Sequence, residues 1–129
     1  MKNMTKLIFL ILLFNLSVFA DNCITYQNMG SSPLDGELYE VKGTSYWDHG
    51  EEITYYIFRL DKETCFNDGE GPIETNEVQV ILNKKQVMNL DQLLSKEVKM
   101  QIEDFLWGGT QQWKRSIGVP KAKFTLNSD

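Results

Sequence analysis

Two short segments of the sequence combine aromatic rings with amide, carboxylate and basic side chains. The first is 46–50 (YWDHG), and the second is 107–113 (WGGTQQW), which continues into two basic residues. Together they contain all three tryptophans of the chain. Large apolar faces beside polar groups suit a sugar ring or a protein hot spot. The residues predicted to contact such a ligand or partner are Tyr46, Trp47, Asp48, His49, Trp107, Gln111, Gln112, Trp113, Lys114 and Arg115.

The competing interpretation of these tryptophans is structural. A tryptophan beside glycines often caps the open end of a small barrel, with its ring on the core and its N–H bonded to a carbonyl. For each tryptophan taken singly, the two roles are equally open. Their joint placement in two segments favours a binding site.

Catalytic signatures are absent from the sequence. It contains no nucleophile-elbow, metalloprotease or phosphate-binding glycine motif. His49 is the only histidine, so a Ser-His-Asp or Cys-His arrangement would depend on it alone. A small hydrolase using Asp48, Glu51 or Glu52 with His49 stays open as an alternative, and it requires a concave pocket around His49. We predict no catalytic residue and no cofactor. We also predict no metal site, because the 67–71 loop lacks the spacing of a calcium loop.

The elements that must position these residues are strands. Five segments alternate in polarity or are rich in β-branched and aromatic residues, namely 34–41, 53–60, 77–82, 98–103 and 121–126. A polar loop is expected over 67–76, and the single predicted helix is 90–95, between the third and fourth strands. This is the element order of an OB-type barrel. The predicted fold is therefore mostly β: a small five-stranded OB-like barrel with one short helix and one disulfide. In such a barrel, the strand 1–2 and 4–5 loops flank the usual binding face, and the two aromatic segments occupy those loops.

Several short motifs carry a likeness to a known family. They include Leu34-x-Gly36-x-Leu38, the Leu60-Asp61-Lys62 run that precedes the second cysteine, and the strand Val78-Gln79-Val80. With these motifs the chain resembles a family of small exported bacterial proteins termed domain of unknown function 4431. The resemblance covers most of the mature chain and implies an OB-like barrel, but no activity. Family members commonly carry a histidine-rich stretch before the last strand. Residues 107–113 contain no histidine, so no metal-binding role follows from the likeness.

A looser similarity concerns architecture alone. Exported pentameric toxin B subunits have about this size, a signal peptide, one disulfide and an OB barrel, but they share no motif with this chain. A subunit of a ring-shaped binding oligomer is therefore a further alternative. It predicts an oligomer in solution.

Residues 1–20 are typical of a secretory signal peptide. Two lysines precede the apolar run Leu7–Leu16, and cleavage is expected after Ala20. The run is about half of the roughly 20 apolar residues that span a bilayer. The residues before Cys23 do not form a lipobox, so we expect no stable membrane anchor. The predicted organisation is a signal peptide at 1–20 and a single OB-like domain at 21–129, located in the periplasm or secreted.

Charge and cysteine content limit the partners. Removal of the two lysines of the signal peptide takes Lys and Arg from 13 to 11 against 18 acidic residues, a formal charge of −7. So acidic a protein is a poor ligand for nucleic acid. Within 108–126 the only charges are basic, at Lys114, Arg115, Lys121 and Lys123. Such a patch could meet an acidic partner, although it is more often a solvated face. The two cysteines, Cys23 and Cys65, predict one structural disulfide in an oxidising compartment.

From these observations we predict an exported, non-catalytic binding module that acts through its strand 1–2 and 4–5 loops. A protein partner, bound in the manner of an inhibitor or immunity protein, is favoured over an envelope oligosaccharide. The sequence leaves the oligomeric state open.

Overall fold

Alternating apolar and polar residues send successive side chains to opposite sides of each strand. The structure, a computed structural model, describes residues 22–44, 50–109 and 113–127. The elements, in chain order, are the strands β1 (Leu34–Thr44), β2 (Glu52–Asn67) and β3 (Pro72–Val80), the short helices α1 (Lys84–Met88) and α2 (Leu90–Leu93), and the strands β4 (Glu97–Trp107) and β5 (Ile117–Leu126).

The five strands close into one barrel in the order β1-β2-β3-β5-β4. Neighbouring strands are antiparallel, apart from β3 and β5, which run parallel over a short stretch. Pairing of β1 with β4 completes the closure. The predicted mostly β, five-stranded OB-like barrel is thereby confirmed, with two short helices in place of the one expected.

The core fills the inside of the barrel. Leu38, Phe58 and Val78 lie opposite one another on β1, β2 and β3, and all three are fully buried. Burying one such side chain contributes about 1.5–3 kcal/mol. Because side chains alternate along a strand, Tyr39 and Arg59, their neighbours in the chain, lie on the outer face of the same sheet.

β2 and β3 are longer than the sequence pattern predicted. The expected polar loop over 67–76 was wrong in extent, because β2 continues to Asn67 and β3 already begins at Pro72. Backbone pairing of Thr64–Asn67 with Pro72–Thr75 holds this extension together. Residues 67–76 are rich in Gly, Pro and polar side chains, so composition alone made the hairpin resemble a loop.

β4 and β5 are also longer than predicted. β4 runs on to Trp107 and β5 begins at Ile117, where the expected bounds were 103 and 121. Trp107 pairs with Ile117 and is therefore the last residue of a strand. Its assignment to the loop between the two strands was wrong.

The helical region begins before the predicted one. α1 starts after Asn83, whose side chain accepts a hydrogen bond from the Gln86 backbone while the Gln86 side chain accepts one from the Asn83 N–H. This reciprocal capping box is visible in the sequence as Asn-x-x-Gln and was missed. Gln86 Nε2 also donates to the carbonyl of Ala122 (2.7 Å), which ties α1 to β5. The predicted helix over 90–95 ends early, because Leu94 is extended and bridges Leu38.

The N-terminal segment is fixed to β2 by a disulfide and by backbone pairing. Cys23 and Cys65 form the predicted disulfide, with Cα atoms 4.6 Å apart. Beside it, Ile24 donates to the carbonyl of Cys65, and Asn67 donates to the carbonyl of Ile24, both at 2.8 Å. A structural disulfide is consistent with a compartment outside the cytoplasm. Among the described residues, no helix has the length and apolar character needed to cross a membrane.

Candidate functional site

Four of the ten predicted binding residues fall in the described part of the chain: Trp107, Trp113, Lys114 and Arg115. The other six lie outside the described residues, namely Tyr46, Trp47, Asp48, His49, Gln111 and Gln112. The predicted signal peptide and its predicted cleavage site at Ala20 also lie outside them. Glu51 and Glu52, named in the hydrolase alternative, are exposed at the beginning of β2.

The structure brings the ends of the two predicted binding loops together. Lys114 lies between β4 and β5, and its Nζ donates to the carbonyl of Thr44 at 3.1 Å. Thr44 is the last residue of β1 and so begins the connection to β2. The hydrogen bond therefore joins one predicted binding loop to the base of the other.

The segment Trp113–Arg115, which we call the anchored segment, lies against the outer face of β3. The Lys114 backbone N–H donates to the side-chain oxygen of Gln79, which is only 9% exposed. Arg115 Nη1 donates to the carbonyl of Lys114 (2.7 Å) within the segment. Ile57 lies opposite Gln79 on the outer face and is 2% exposed. This part of the outer face is therefore covered rather than open to solvent.

Trp113 packs on a glycine of β5. A Cβ atom added at Gly118 would overlap the indole ring of Trp113, so the ring rests directly on the strand backbone. Gly118 also pairs with Gln79 of β3, which places the indole beside the amide that holds Lys114. Trp113 therefore packs on the outer side of the barrel wall, which differs from the predicted capping of its open end.

A chain of contacts continues from the anchored segment across β3, β2 and β1. Arg115 Nε donates to Glu77 Oε1 (2.9 Å), and Arg59 Nε donates to Glu77 Oε2 (3.1 Å). The Arg59 guanidinium lies over the ring of Tyr39, 5.0 Å from its centroid. Tyr39 in turn donates its hydroxyl hydrogen bond to Glu37 (2.6 Å). We call this set, from Glu37 to Arg115, the tyrosine–arginine network.

Electrostatics keep the groups of the network in defined protonation states. Burial of Glu77 by itself raises its pKa, but the hydrogen bonds from Arg115 and Arg59 outweigh burial and hold the pKa of Glu77 below its ordinary value. The hydrogen bond to Glu37 raises the pKa of Tyr39, with burial as the second cause. At neutral pH Glu77 is therefore an acceptor and Tyr39 a donor, as the network requires.

Sequence reasoning missed the strand residues of this surface. Tyr39, Tyr55 and Arg59 occupy outward positions of β1 and β2. Tyr55 lies over Gly43, where an added Cβ would meet its ring. The signal for these residues was the alternation itself: once the strands are assigned, Tyr39 and Arg59 must face away from the core residues beside them.

Trp107 has different surroundings from Trp113. Its ring lies over the backbone of Gly109 and is 55% exposed. It lines a depression whose other residues come from the β2–β3 turn and the beginning of β3. The two tryptophans that the sequence grouped in one loop therefore belong to two surfaces.

The predicted basic patch also divides. Lys114 and Arg115 belong to the anchored segment, whereas Lys121 and Lys123 of β5 both approach Glu103, at 3.7 and 3.5 Å. Both lysines are largely exposed, so these two ion pairs add little stability. Lys121 and Lys123 form a solvated face, and of the other two cations only Arg115 belongs to the network.

A group of carboxylates lies on the outer side of β1, β2 and β4. Glu97 lies opposite Glu37, next to Asp35 and Asp61. A hydrogen bond with Asp61, assisted by burial and by the neighbouring negative charges, raises the pKa of Glu97 to about 7. Since its ordinary value is 4.5, the folded state binds more protons than the unfolded state between these two values. Stability contributed by Glu97 is thus present at low pH and lost as the pH rises towards 7.

Replacing Glu97 by Gln should therefore flatten the dependence of stability on pH between about 4.5 and 7. The variant should be more stable than the wild type above pH 7, because the repulsion within the carboxylate group is reduced. Urea unfolding at a series of pH values measures this difference. Glu63→Gln removes an equal charge from an exposed site and should leave the slope unchanged. A stability difference between wild type and variant that stays constant across this window would contradict the prediction.

The contact between Gly118 and Trp113 yields a second prediction. Gly118→Ala should lower the free energy of unfolding by about 1–3 kcal/mol, the usual cost of overpacking, because the added methyl group overlaps the indole. Urea unfolding followed by tryptophan fluorescence measures the loss. In a Trp113→Ala background the same substitution should cost much less. An equal cost in both backgrounds would mean that another contact is responsible.

Comparison with known proteins gives no relative from which a role could be transferred. The chain matches no protein-family model, no curated protein and no solved structure. The resemblance described above therefore stays a prediction. Within 22–44, 50–109 and 113–127, no group of three or more His, Cys, Asp or Glu side chains is arranged to hold a metal ion.

Proposed function

We propose that this protein is a non-catalytic binding module that recognises a protein partner through the outer face of β1–β3 and the two loops beside it. It acts in the periplasm or the medium, as an inhibitor or immunity protein does. The observation that carries the proposal is the tyrosine–arginine network. It spans the sheet from Tyr39 through Arg59 to Arg115 and ends where Lys114 joins the two loops.

The composition of this surface supports a protein partner over an oligosaccharide. Tyrosine and arginine are enriched among the residues that dominate the energy of protein interfaces. A sugar site needs an aromatic face presented to the ligand, whereas the Trp113 ring rests on Gly118. The exposed indole of Trp107 belongs to another surface.

The state of the network before binding also supports this role. Glu77 holds two guanidinium groups in place, and Arg59 is fixed again by the ring of Tyr39. Each long side chain that is ordered in advance reduces the entropy lost on association. Arg59 remains 56% exposed in this arrangement, so it is accessible to a partner.

The test is partner capture followed by affinity measurements on matched variants. The oxidised protein is immobilised and exposed to the periplasmic and secreted proteins of the producing cell, and the retained protein is then titrated calorimetrically. Arg59→Ala and Arg115→Ala should each weaken binding at least tenfold, since buried hot-spot residues contribute about 2 kcal/mol or more. Circular dichroism confirms that both variants are folded.

Lys121→Ala and Lys123→Ala provide the control, because they remove equal charges from the face around Glu103. Both should bind like the wild type. The proposal fails if Arg59→Ala and Arg115→Ala keep full affinity, or if the two lysine variants lose as much. The second result would indicate attraction by overall charge without a defined surface.

A further inference from the structure

The depression beside Trp107 is a second surface, separate from the tyrosine–arginine network. It has a volume of about 490 Å³ and is lined by Trp107 together with Asp68, Glu70, Gly71, Pro72 and Ile73. These residues belong to the end of β4, the β2–β3 turn and the beginning of β3. No residue of the network takes part in it.

The walls of the depression are fixed by local contacts. The Trp107 ring lies against Gly109, where an added Cβ would overlap it. In the turn opposite, Asp68 Oδ1 accepts from the N–H of Glu70 (3.0 Å), and Asn67 Oδ1 accepts from the N–H of Gly69 (2.9 Å). The aromatic side and the acidic side therefore keep their positions before any ligand arrives.

The charged residues that line the depression are acidic. Its lining includes the two carboxylates Asp68 and Glu70, and none of its lining residues is basic. Burial raises the pKa of the Tyr26 hydroxyl, and the negative charges of Asp68 and Asp104 raise it further. Asp68 therefore also acts on a residue outside the depression. A ligand that complements this surface must therefore be positive.

The aromatic ring narrows the ligand chemistry further. Trp107 is more than half exposed, and indole is the aromatic group that attracts cations most strongly. A guanidinium or ammonium group can stack on such a ring and bond to a neighbouring carboxylate at the same time. The exposed Pro72 and the half-buried Ile73 offer apolar surface to the methylene stem of such a side chain.

We propose that this depression binds an arginine or lysine side chain of a basic segment on a protein partner. The cation stacks on the Trp107 indole, and Asp68 and Glu70 accept its hydrogen bonds. The site shares no residue with the network, so the module has two separate recognition surfaces.

The probe is an acetylated, amidated Gly-Arg-Gly-Lys-Gly peptide, titrated into the oxidised full protein and followed by NMR. We expect saturable shifts of the Trp107 indole N–H and of the backbone amides of 68–73, and no shift of the Trp113 indole. Trp107→Ala should weaken binding about two- to five-fold, the range for an exposed cation–π contact. A peptide with citrulline and norleucine in place of the two basic residues should not bind.

Asp68→Asn is the most informative variant, because asparagine keeps the oxygen that accepts from Glu70 and removes only the charge. It should weaken the peptide, whereas Asp91→Asn on α2, which removes an equal charge elsewhere, should not. The proposal is overturned if Asp91→Asn weakens the peptide as much, if the Trp107 signals do not respond, or if chitotriose shifts them and the peptide does not. The last outcome would identify a glycan site. The partner affinities of Arg59→Ala and Arg115→Ala do not depend on the peptide result. The two proposals can therefore fail separately.

Discussion

Removal of the Cys23–Cys65 disulfide should lower the free energy of unfolding by about 4 kcal/mol, the value that chain entropy assigns to a closed loop of this size. The two cysteines are 42 residues apart, and the loop between them contains β1 and most of β2. Without the bond the unfolded chain gains conformational freedom that folding must then overcome. A small domain has about 5–15 kcal/mol of stability in total, so this loss is about a quarter of it or more.

Urea unfolding of the wild type and of the double variant Cys23→Ala/Cys65→Ala measures this loss. Asn28→Ala is the control, because it removes only the side-chain hydrogen bonds that Asn28 makes to Thr25 and Cys23. It should cost about 1 kcal/mol. If the disulfide variant costs no more than this control, backbone pairing of Ile24 with β2 is enough to fix the segment, and the entropic explanation is wrong.

Phe105→Ala should have a comparable effect, a loss of about 3–5 kcal/mol. Phe105 is 1% exposed and meets Phe66 edge to face, with ring centroids 5.6 Å apart. On its other side it stacks with Tyr26 at 4.8 Å. Truncation leaves a cavity between the core and the N-terminal segment, and it removes two aromatic contacts at once.

The matched control is Phe124→Ala on β5. The ring centroids of Phe124 and Phe58 are 5.9 Å apart, but Phe124 is only partly buried. Its truncation therefore exposes less apolar surface and leaves a smaller cavity. Thermal unfolding of both variants under oxidising conditions compares them directly. Equal losses would show that burial at position 105 does not determine the cost, contrary to the packing described above.

Much of the fold follows from local patterns. Alternation identified five strands, and their order around one helix was enough to predict the barrel. The ends of the strands did not follow, because they depend on pairing between distant residues. The hairpin of Thr64–Asn67 and Pro72–Thr75 encloses a turn rich in Gly and acidic residues, and only its register reveals the strands. The disulfide was predictable from cysteine count once export was assumed.

The candidate site was less predictable than the fold. The sequence directed attention to loops rich in tryptophan, whereas the described surface depends on Tyr39 and Arg59, which are ordinary strand residues until their neighbours are known. The roles of Trp107 and Trp113 are set by the glycines beneath them, Gly109 and Gly118. Gly118 lies only five residues after Trp113, at the beginning of β5, but the sequence does not show that the indole packs back onto it.

The hydrogen bond between Lys114 and Thr44 has a consequence for protein engineering. Thr44 and Lys114 stand at the edges of the two predicted loops, and the bond between them holds these edges together. Substitutions within 45–49 and 110–112 leave Thr44, Lys114 and Gln79 unchanged, and each doubling of a loop's length costs only about 0.6 kcal/mol. The barrel is therefore a scaffold on which both segments can be randomised together in a display library, while Thr44 and Lys114 beside them keep their hydrogen bond.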